Sequence, residues 1–285
     1  EADDAIHVAL DIIFSASSRD EALVTLAREV ESAWIPSAYS EGLGELGLSS
    51  RIPAFGQIIT PNTELRDMFL IEGERGCSRG CQYCVMRRST NGGMRIVPID
   101  EILGLIPDHA KRVGLVGAAI SDHPKITELV STLADQGREV GLSSLRPDKL
   151  TDDFVEALSR AGYRTLTTAM DGASQRMRDL VDRKAKPKHL VRAAEHVRNH
   201  GFKRLKLYMI LGLPGETDED VDELIAFSTE LSKIAPLSLG IAPFVSKRRT
   251  PLDGQPFAGI KVVEKRLARL RRGVKGRVDI RATSA

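Results

Sequence analysis

The three cysteines of this 285-residue chain lie together in one stretch, Cys77-Ser-Arg-Gly-Cys81-Gln-Tyr-Cys84. We call residues 77–84 the cysteine loop. Thiolates bind zinc and iron, and a thiolate is also the nucleophile of redox chemistry. Three thiols at the spacing Cys-x3-Cys-x2-Cys therefore predict a metal centre or a redox site.

The number of ligands separates four interpretations of the cysteine loop. A zinc site usually takes four ligands, and the nearest histidines, His109 and His123, fall in separate predicted elements. A redox pair of Cys81 and Cys84 would leave Cys77 unused, and incidental cysteines rarely cluster in this way. In an iron–sulfur cubane, three thiolate ligands leave one iron open to a substrate or cofactor. The pattern favours the iron–sulfur cluster.

A predicted strand at residues 68–72 leads directly into the cysteine loop. Strands and helices alternate after it, which predicts parallel pairing through right-handed crossovers. Five further strands are predicted at residues 112–120, 139–143, 164–169, 203–210 and 237–245. Helices are predicted at residues 99–110, 126–136, 151–161 and 217–232, with two more within 174–200 and a capping box at the start of 217–232. The alternation fits a full or partial barrel or an open doubly wound sheet, with the site at the carboxyl ends of the strands.

The chain divides into three predicted parts. Residues 1–65 read as a helical lead-in and linker, the tail of an upstream domain, with helices within 1–31 and a strand at 57–60. Residues 66–250 form the predicted core. Residues 251–285 form a basic C-terminal extension, with an amphipathic helix at 262–272 and a further strand at 277–283.

Composition and charge restrict the partners. No apolar run approaches the ~18 residues that span a bilayer, and the acidic start does not resemble a signal peptide, so we expect a cytoplasmic protein without a membrane partner. Clustered thiols also fit a reducing compartment better than a disulfide framework. Residues 246–285 hold twelve basic and three acidic residues. This segment could contact nucleic acid, but a solvated basic helix is the simpler interpretation.

The cysteine loop resembles the signature loop of the radical S-adenosylmethionine (SAM) enzymes, and the resemblance covers residues 66–250. It implies an α/β fold, a partial (β/α)6 TIM-like barrel with this loop after its first strand. It also implies a [4Fe–4S] cluster on Cys77, Cys81 and Cys84, SAM on the open iron, and Tyr83 near the adenine. An electron from a reductant such as flavodoxin or ferredoxin would then cleave SAM to methionine and a 5′-deoxyadenosyl radical, which abstracts hydrogen from an unidentified substrate.

The same resemblance implies SAM contacts at the ends of the second and third strands. Gly117-Ala118-Ala119 stands where the family has a Gly-Gly-Glu-like segment. The acidic residue is missing, so the backbone carbonyls of Gly117 and Ala118, or else Asp122, would meet the methionyl amino group. Arg146 would pair with a carboxylate, either of SAM or of the substrate.

Residues after the later strands complete the implied cofactor pocket. Asp171, Ser174 and Arg183 correspond to a segment of methylthiotransferases that lines the SAM site. The carboxylate of Asp171 suits the ribose hydroxyls, which are hydrogen-bond donors. Gly212, in a glycine-rich turn, and Pro243, at the end of the sixth strand, would support the adenine.

The chain further resembles a radical SAM branch in which a cobalamin-binding domain precedes the barrel, because residues 1–6 and 35–39 match the junction. The cobalamin motif Asp-x-His-x-x-Gly is absent here, so cobalamin would bind through a domain that this chain does not contain. We expect methyl transfer to a small-molecule or macromolecular substrate. One alternative is methylthiotransferase-like modification of RNA or protein, although those enzymes need further cysteines for a second cluster. Another is a non-catalytic iron–sulfur protein used in electron transfer.

Overall fold

The computed structural model describes residues 5–30, 33–35, 51–90, 93–143 and 145–283. Its first elements are two helices, α1 (Ala5–Ser15) and α2 (Arg19–Glu29). The hydroxyl of Ser18 accepts a hydrogen bond from the Glu21 amide and so caps the start of α2. Most of the junction predicted at residues 1–6 and 35–39 lies outside the described residues.

Two parallel sheets form the centre of the fold. The strands are, in chain order, β1 (Met68–Glu72), β2 (Glu74–Gly76), β3 (Met94–Ile96), β4 (Arg112–Val116), β5 (Glu139–Leu142), β6 (Thr165–Asp171), β7 (Arg204–Leu211), β8 (Leu237–Pro243) and β9 (Asp279–Ala282). The first sheet has the order β1-β4-β5, and the second has the order β6-β7-β8-β9. The short antiparallel hairpin of β2 and β3 interrupts the first crossover and carries the cysteine loop.

Each crossover between consecutive parallel strands contains at least one helix. The helices are α3 (Met86–Ser89), α4 (Ile99–Leu105), α5 (Ile126–Asp135), α6 (Asp152–Arg160), α7 (Gln175–Leu180), α8 (Pro187–Asn199), α9 (Asp218–Ile234) and α10 (Ile260–Val274). The predictions of two helices within 174–200 and of a capping box at Thr217 and Asp220 are confirmed. Among the described helices, none is both long and apolar enough to cross a bilayer.

The strands bury one face under the helices and turn the other face inward. In β7, four apolar residues are buried at every second position, Leu205, Leu207, Met209 and Leu211. The intervening Lys206 and Tyr208 line an open cavity on the other side instead, because successive side chains of a strand point to opposite sides. The architecture is therefore the predicted one, an α/β partial TIM-like barrel with a helical lead-in.

Some predicted elements differ from the observed ones. α4 ends earlier than predicted because Pro107 disfavours helical geometry in the residue before it. Ile120, predicted as the last residue of a strand, instead begins a 3-10 helix. The strand predicted at 57–60 is wrong, since the contact with β1 lies just upstream, where Phe55 forms an isolated antiparallel bridge with Ile71.

The basic C-terminal segment packs onto this core. β9 pairs in parallel with β8, which confirms the strand predicted at 277–283. α10 packs on α9, where Arg269 lies 2.6 Å from Asp222 and Arg266 lies 2.9 Å from Glu216. Part of the positive charge of this segment is therefore paired with acidic side chains of the chain itself.

Candidate functional site

The cysteine loop is fixed by a backbone hydrogen bond to Gly93 and by two guanidinium groups, that of Arg88 and that of Arg87, whose Nη1 donates to the carbonyl oxygen of Ser78 at 2.9 Å. The amide of Cys77 donates to the carbonyl oxygen of Gly93 at 2.9 Å, which ties the start of the loop to the entry of β3. Arg88 of α3 reaches back and donates to the carbonyl oxygens of Cys81 (3.2 Å) and Cys84 (2.8 Å). The positions of all three cysteines therefore depend on hydrogen bonds to the backbone of the loop.

The three thiols are unpaired and line one cavity of about 230 Å³. Burial raises the pKa of Cys77 and of Cys81, so both thiols are protonated at neutral pH in the metal-free protein, and iron binding must release protons. The described lining of this cavity contains no histidine. Three thiols facing one open space are the donor set that a [4Fe–4S] cluster with one open iron requires.

The wall of the same cavity contains three side chains joined by hydrogen bonds and an ion pair, those of Tyr83, Asp171 and Arg183. Nε of Arg183 lies 2.9 Å from Oδ2 of Asp171, and its Nη2 donates to the carbonyl oxygen of Ala169 at 3.2 Å. Burial, together with the Asp171 carboxylate, raises the pKa of Tyr83, so its phenol stays protonated and hydrogen-bonded to Asp171. Asp171 has a φ of 61°, a conformation that aspartate and asparagine adopt more readily than most side chains.

Arg146 also lines this cavity, but two carboxylates of the chain already bind its guanidinium. Its Nη1 lies 2.6 Å from Oδ2 of Asp122, and its Nε and Nη2 bind Asp148. Burial opposes ionisation of Asp148, but the hydrogen bonds and charge of Arg146 and the charge of Arg79 lower the pKa of that carboxyl. Asp122 also accepts the hydroxyl of Ser78 at 2.8 Å. Arg146 therefore links the carboxyl end of the first sheet to the cysteine loop through Asp122.

The segment Gly117-Ala118-Ala119 rests on a buried glutamate that the sequence analysis missed. Glu74 of β2 is 1% exposed, and its Oε1 accepts a hydrogen bond from the Ala119 amide at 2.6 Å. The carboxylate fits because residue 117 is glycine, since a Cβ there would lie 2.3 Å from Oε1. Ala118 and Ala119 line the thiol cavity. Position 119 is alanine where a Gly-Gly-Glu-like segment has glutamate. Glu74, on another strand, therefore supplies a carboxylate beside this position.

Glu74 makes the stability of the fold depend on pH. Burial, with the charges of Asp122 and Glu72, raises the pKa of Glu74 from 4.5 to about 7, although the Ala119 amide opposes the shift. The folded state keeps a proton that the unfolded state releases, so stability falls as the pH rises between these two pKa values and is constant above them. We expect Glu74→Gln to remove this fall, which amounts to roughly 3–4 kcal/mol in the free energy of unfolding.

Urea unfolding of the cluster-free protein at a series of pH values measures this difference. Glu101→Gln, at an exposed carboxylate on α4, is the matched control for the lost charge. The same pH dependence in the wild type and in Glu74→Gln would contradict the assignment.

Four residues predicted to contact the cofactor lie outside the lining of the thiol cavity, Gly117, Ser174, Gly212 and Pro243. The hydroxyl of Ser174 caps α7 by accepting the Met177 amide, and it donates to Asp220 at 2.6 Å. The amide of Gly212 donates to Glu216 at 2.8 Å. His123, a loop histidine, is 3% exposed and is held by Val97 and Lys125. The cofactor roles of the four residues stay predictions.

A second cavity of about 370 Å³ adjoins the first, and Asp171 and Tyr208 line both. Lys206 and Arg281 add two cationic side chains to its wall. Nζ of Lys206 lies 2.8 Å from the Tyr208 hydroxyl and 4.6 Å from the centroid of its ring. Gly240 makes room for this ring, because a Cβ there would lie 2.7 Å from it. The two cavities therefore share part of one wall.

Thiols that converge on an open cavity at the carboxyl ends of parallel strands define a metal-cluster enzyme built on an α/β barrel. The family model of the radical SAM superfamily matches residues 71–228, more than half of the chain. The chain therefore belongs to the radical SAM superfamily, and it is an enzyme whose cofactors are a [4Fe–4S] cluster and SAM.

Curated relatives match the same core. The chain is 31% identical over 210 residues to the uncharacterized protein MJ0966 of Methanocaldococcus jannaschii, covering 70% of this chain and 46% of that protein. It is 29% identical over 171 residues to the ribosomal protein uS12 methylthiotransferase RimO of Thermosipho melanesiensis, covering 55% of this chain and 40% of that protein. The chain thus spans less than half the length of these relatives.

Solved structures share the fold at lower identity. SuiB of Streptococcus suis bound to S-adenosylmethionine has a TM-score of 0.55 at 14% identity, covering 76% of this chain and 50% of that one. The radical SAM methyltransferase TsrM of Kitasatospora setae, with cobalamin and a [4Fe–4S] cluster bound, has a TM-score of 0.52 at 16% identity, covering 69% and 36%. At these identities the likeness concerns the fold alone.

Proposed function

We propose that this chain is the SAM-cleaving core of a methyl-transferring radical enzyme. The observation that carries the proposal is the thiol-lined cavity joined to a second, cationic cavity through the shared wall of Asp171 and Tyr208. Cys77, Cys81 and Cys84 would hold the cluster, which when reduced would supply an electron for the cleavage of SAM and so a radical able to remove hydrogen from the substrate. The substrate, unidentified, occupies the second cavity, and a flavodoxin- or ferredoxin-like protein is the reductant.

In this proposal the chain's own residues hold and orient the cofactors. Cys77, Cys81 and Cys84 bind three irons of the cluster and leave the fourth to SAM. The carboxylate of Asp171 accepts hydrogen bonds from the ribose hydroxyls, and its bonds to Tyr83 and Arg183 fix its orientation. Asp171 and Tyr208 line both cavities, so a substrate in the second cavity would lie beside this group.

Methyl transfer is the reaction named for one protein of similar fold, since TsrM is described as a radical SAM methyltransferase with cobalamin bound. Methylthiolation of protein or RNA is the second candidate, favoured by several relatives of that name. The three cysteines of this chain would hold one cluster under either candidate. We further propose that residues 1–65 connect to an upstream domain that supplies cobalamin, that 66–250 form the catalytic core, and that 251–285 are a basic extension.

Anaerobic reconstitution with iron and sulfide, followed by dithionite and SAM, tests the proposal. We expect 5′-deoxyadenosine as a product, and we expect SAM to change the electron paramagnetic resonance spectrum of the reduced cluster because it binds the open iron. An intact cluster that yields no 5′-deoxyadenosine and whose spectrum ignores SAM would identify the protein as a non-catalytic electron carrier and overturn the proposal.

Replacing Asp171 by asparagine should weaken SAM binding about tenfold, because a charged acceptor is lost from the proposed ribose site. Asparagine tolerates the left-handed conformation of this position, so the backbone is not strained. Titration of the reconstituted protein with SAM, followed by the change in the cluster spectrum, measures the affinity. Asp67→Asn is the matched control. Asp67 also has a positive φ (54°), but it is exposed, directly precedes β1 and lines neither cavity. Unchanged affinity in Asp171→Asn would exclude the ribose contact.

A further inference from the structure

Two histidines at the end of α8 and one aspartate of α6 converge in the helical layer, outside the lining of both cavities. His196 lies in the last turn of α8 and His200 is the residue that caps its C-terminus, so the two imidazoles are neighbours, with ring centroids 5.8 Å apart. Asp152 is the first residue of α6, and its carboxylate lies against both imidazoles. Nothing in the proposed SAM chemistry uses these three side chains.

The three candidate ligand atoms are already close to the spacing of a tetrahedral metal site. Oδ1 of Asp152 lies 2.9 Å from Nε2 of His200 and 3.5 Å from Nδ1 of His196. All three atoms lie within 4.8 Å of one another. In a tetrahedral zinc site with bonds of 2.0–2.1 Å, the ligand atoms are about 3.3 Å apart. A metal ion between these atoms therefore requires only small side-chain movements.

The hydrogen bond that His196 makes away from Asp152 determines which of its two ring nitrogens carries the hydrogen. Nε2 of His196 lies 3.3 Å from the carbonyl oxygen of Leu150. A carbonyl only accepts, so Nε2 carries the hydrogen, and in the neutral ring Nδ1 then presents a lone pair toward Asp152. Two acceptors facing each other are unfavourable unless a cation, a proton or a donor such as water lies between them. A histidine that donates its other nitrogen to a backbone carbonyl is also the usual arrangement around metal ligands.

Burial differs among the three residues in a way that suits an ion exchanging with solvent. The side chains of His196 and His200 are 8% and 15% exposed, whereas that of Asp152 is 73% exposed. The imidazoles are therefore fixed by packing, and the open side beyond Asp152 leaves room for water as a fourth ligand. The nearby cation Arg192 is turned toward the carbonyl oxygen of Asp148, at 3.4 Å.

We propose that Asp152, His196 and His200 bind a zinc ion that ties α6 to α8, with water as the fourth ligand. Two imidazoles and a carboxylate are nitrogen and oxygen donors that suit zinc, and they differ from the thiolates that bind the iron–sulfur cluster. The bond from α6 to α8 would stabilise the layer that covers β6 and β7, since α8 packs on both strands.

Zinc titration of the cluster-reconstituted protein tests this site, because the thiols are then occupied by iron. We expect one zinc ion per chain by calorimetry, without loss of iron, and a rise in the thermal unfolding temperature. His200→Gln and Asp152→Asn should each weaken zinc binding at least about tenfold and abolish the thermal shift. His109→Gln, which removes an exposed histidine elsewhere, should bind zinc like the wild type.

Cobalt substitution provides a second measurement that does not depend on stability. Tetrahedral cobalt in this site should show visible d–d absorption without the thiolate-to-cobalt bands that cysteine ligands produce. The proposal is overturned if the wild type binds zinc no more tightly than about 1 mM, or if His200→Gln and the wild type bind it equally. Thiolate bands or loss of iron would assign the ion to the cysteine loop and would also overturn it.

Discussion

Alanine at any one of Cys77, Cys81 and Cys84 will reduce 5′-deoxyadenosine formation to background. Each thiol is one of three unpaired donors around the same cavity. Two thiolates leave two irons of a cubane without protein ligands, so the cluster will be lost or degraded. Iron content, the visible absorption of the cluster and product formation after dithionite reduction measure the effect.

Two further variants show whether the effect comes from ligand loss. Ser78→Ala lies in the same loop and removes only a hydroxyl bound to Asp122, so it should retain the cluster. Arg88→Met should retain all three thiolates but reduce cluster occupancy about tenfold, because the carbonyls of Cys81 and Cys84 lose their shared donor. Full cluster content in a cysteine variant would show that the remaining thiols suffice and would contradict the ligand assignment.

Gly76→Ala will destabilise the protein and prevent cluster assembly, although residue 76 binds no iron. Gly76 has a φ of 98°, and a Cβ at this position would lie 2.1 Å from the carbonyl oxygen of Gly93. That carbonyl accepts the amide of Cys77 at 2.9 Å, so the clash falls on the bond that fixes the first cysteine. We expect the free energy of unfolding to fall by about 2–4 kcal/mol, from the positive φ and the overpacked contact together.

The cysteine loop, which directly follows Gly76, contains a matched control for this substitution. A Cβ on Gly80 would have only Asp182 within 4 Å, at 3.8 Å, and Gly80 is not among the glycines with positive φ. Gly80→Ala should therefore keep wild-type stability and iron content. Denaturant unfolding measures the stability of both variants, and iron analysis measures their cluster content. Equal stability of Gly76→Ala and Gly80→Ala would refute the strain at residue 76.

The features that could be predicted from the sequence are those whose parts lie close together in the chain. The cysteine loop is one such feature, since its three thiols and Tyr83 fall within eight residues. The alternation of strands and helices is another, because each element is recognised from its own period. The sequence predicts that Arg183 and Asp171 line the same pocket. It does not predict that they form an ion pair, which the structure shows at 2.9 Å.

The contacts that could not be predicted join residues from distant strands. Glu74 and Ala119 are 45 positions apart, and an isolated glutamate in a polar stretch gives no periodic signal of burial. The partners of Arg146 include Asp122, 24 positions away, so the sequence could indicate only that some carboxylate would bind it. Ser174 is different. It directly precedes α7, and serine is a preferred residue at that position, so the sequence could have indicated its role as a helix cap.

The contacts of Arg88 also bear on how easily the cluster accepts an electron. Its guanidinium binds the carbonyl oxygens of Cys81 and Cys84, which are neutral groups, and so places a positive charge beside two ligand residues. Reduction adds a negative charge to the cluster, and a cation nearby stabilises the reduced form more than the oxidised form. In electrochemical terms, Arg88 would raise the midpoint potential of a cluster bound at these cysteines, so that a weaker electron donor would suffice to reduce it.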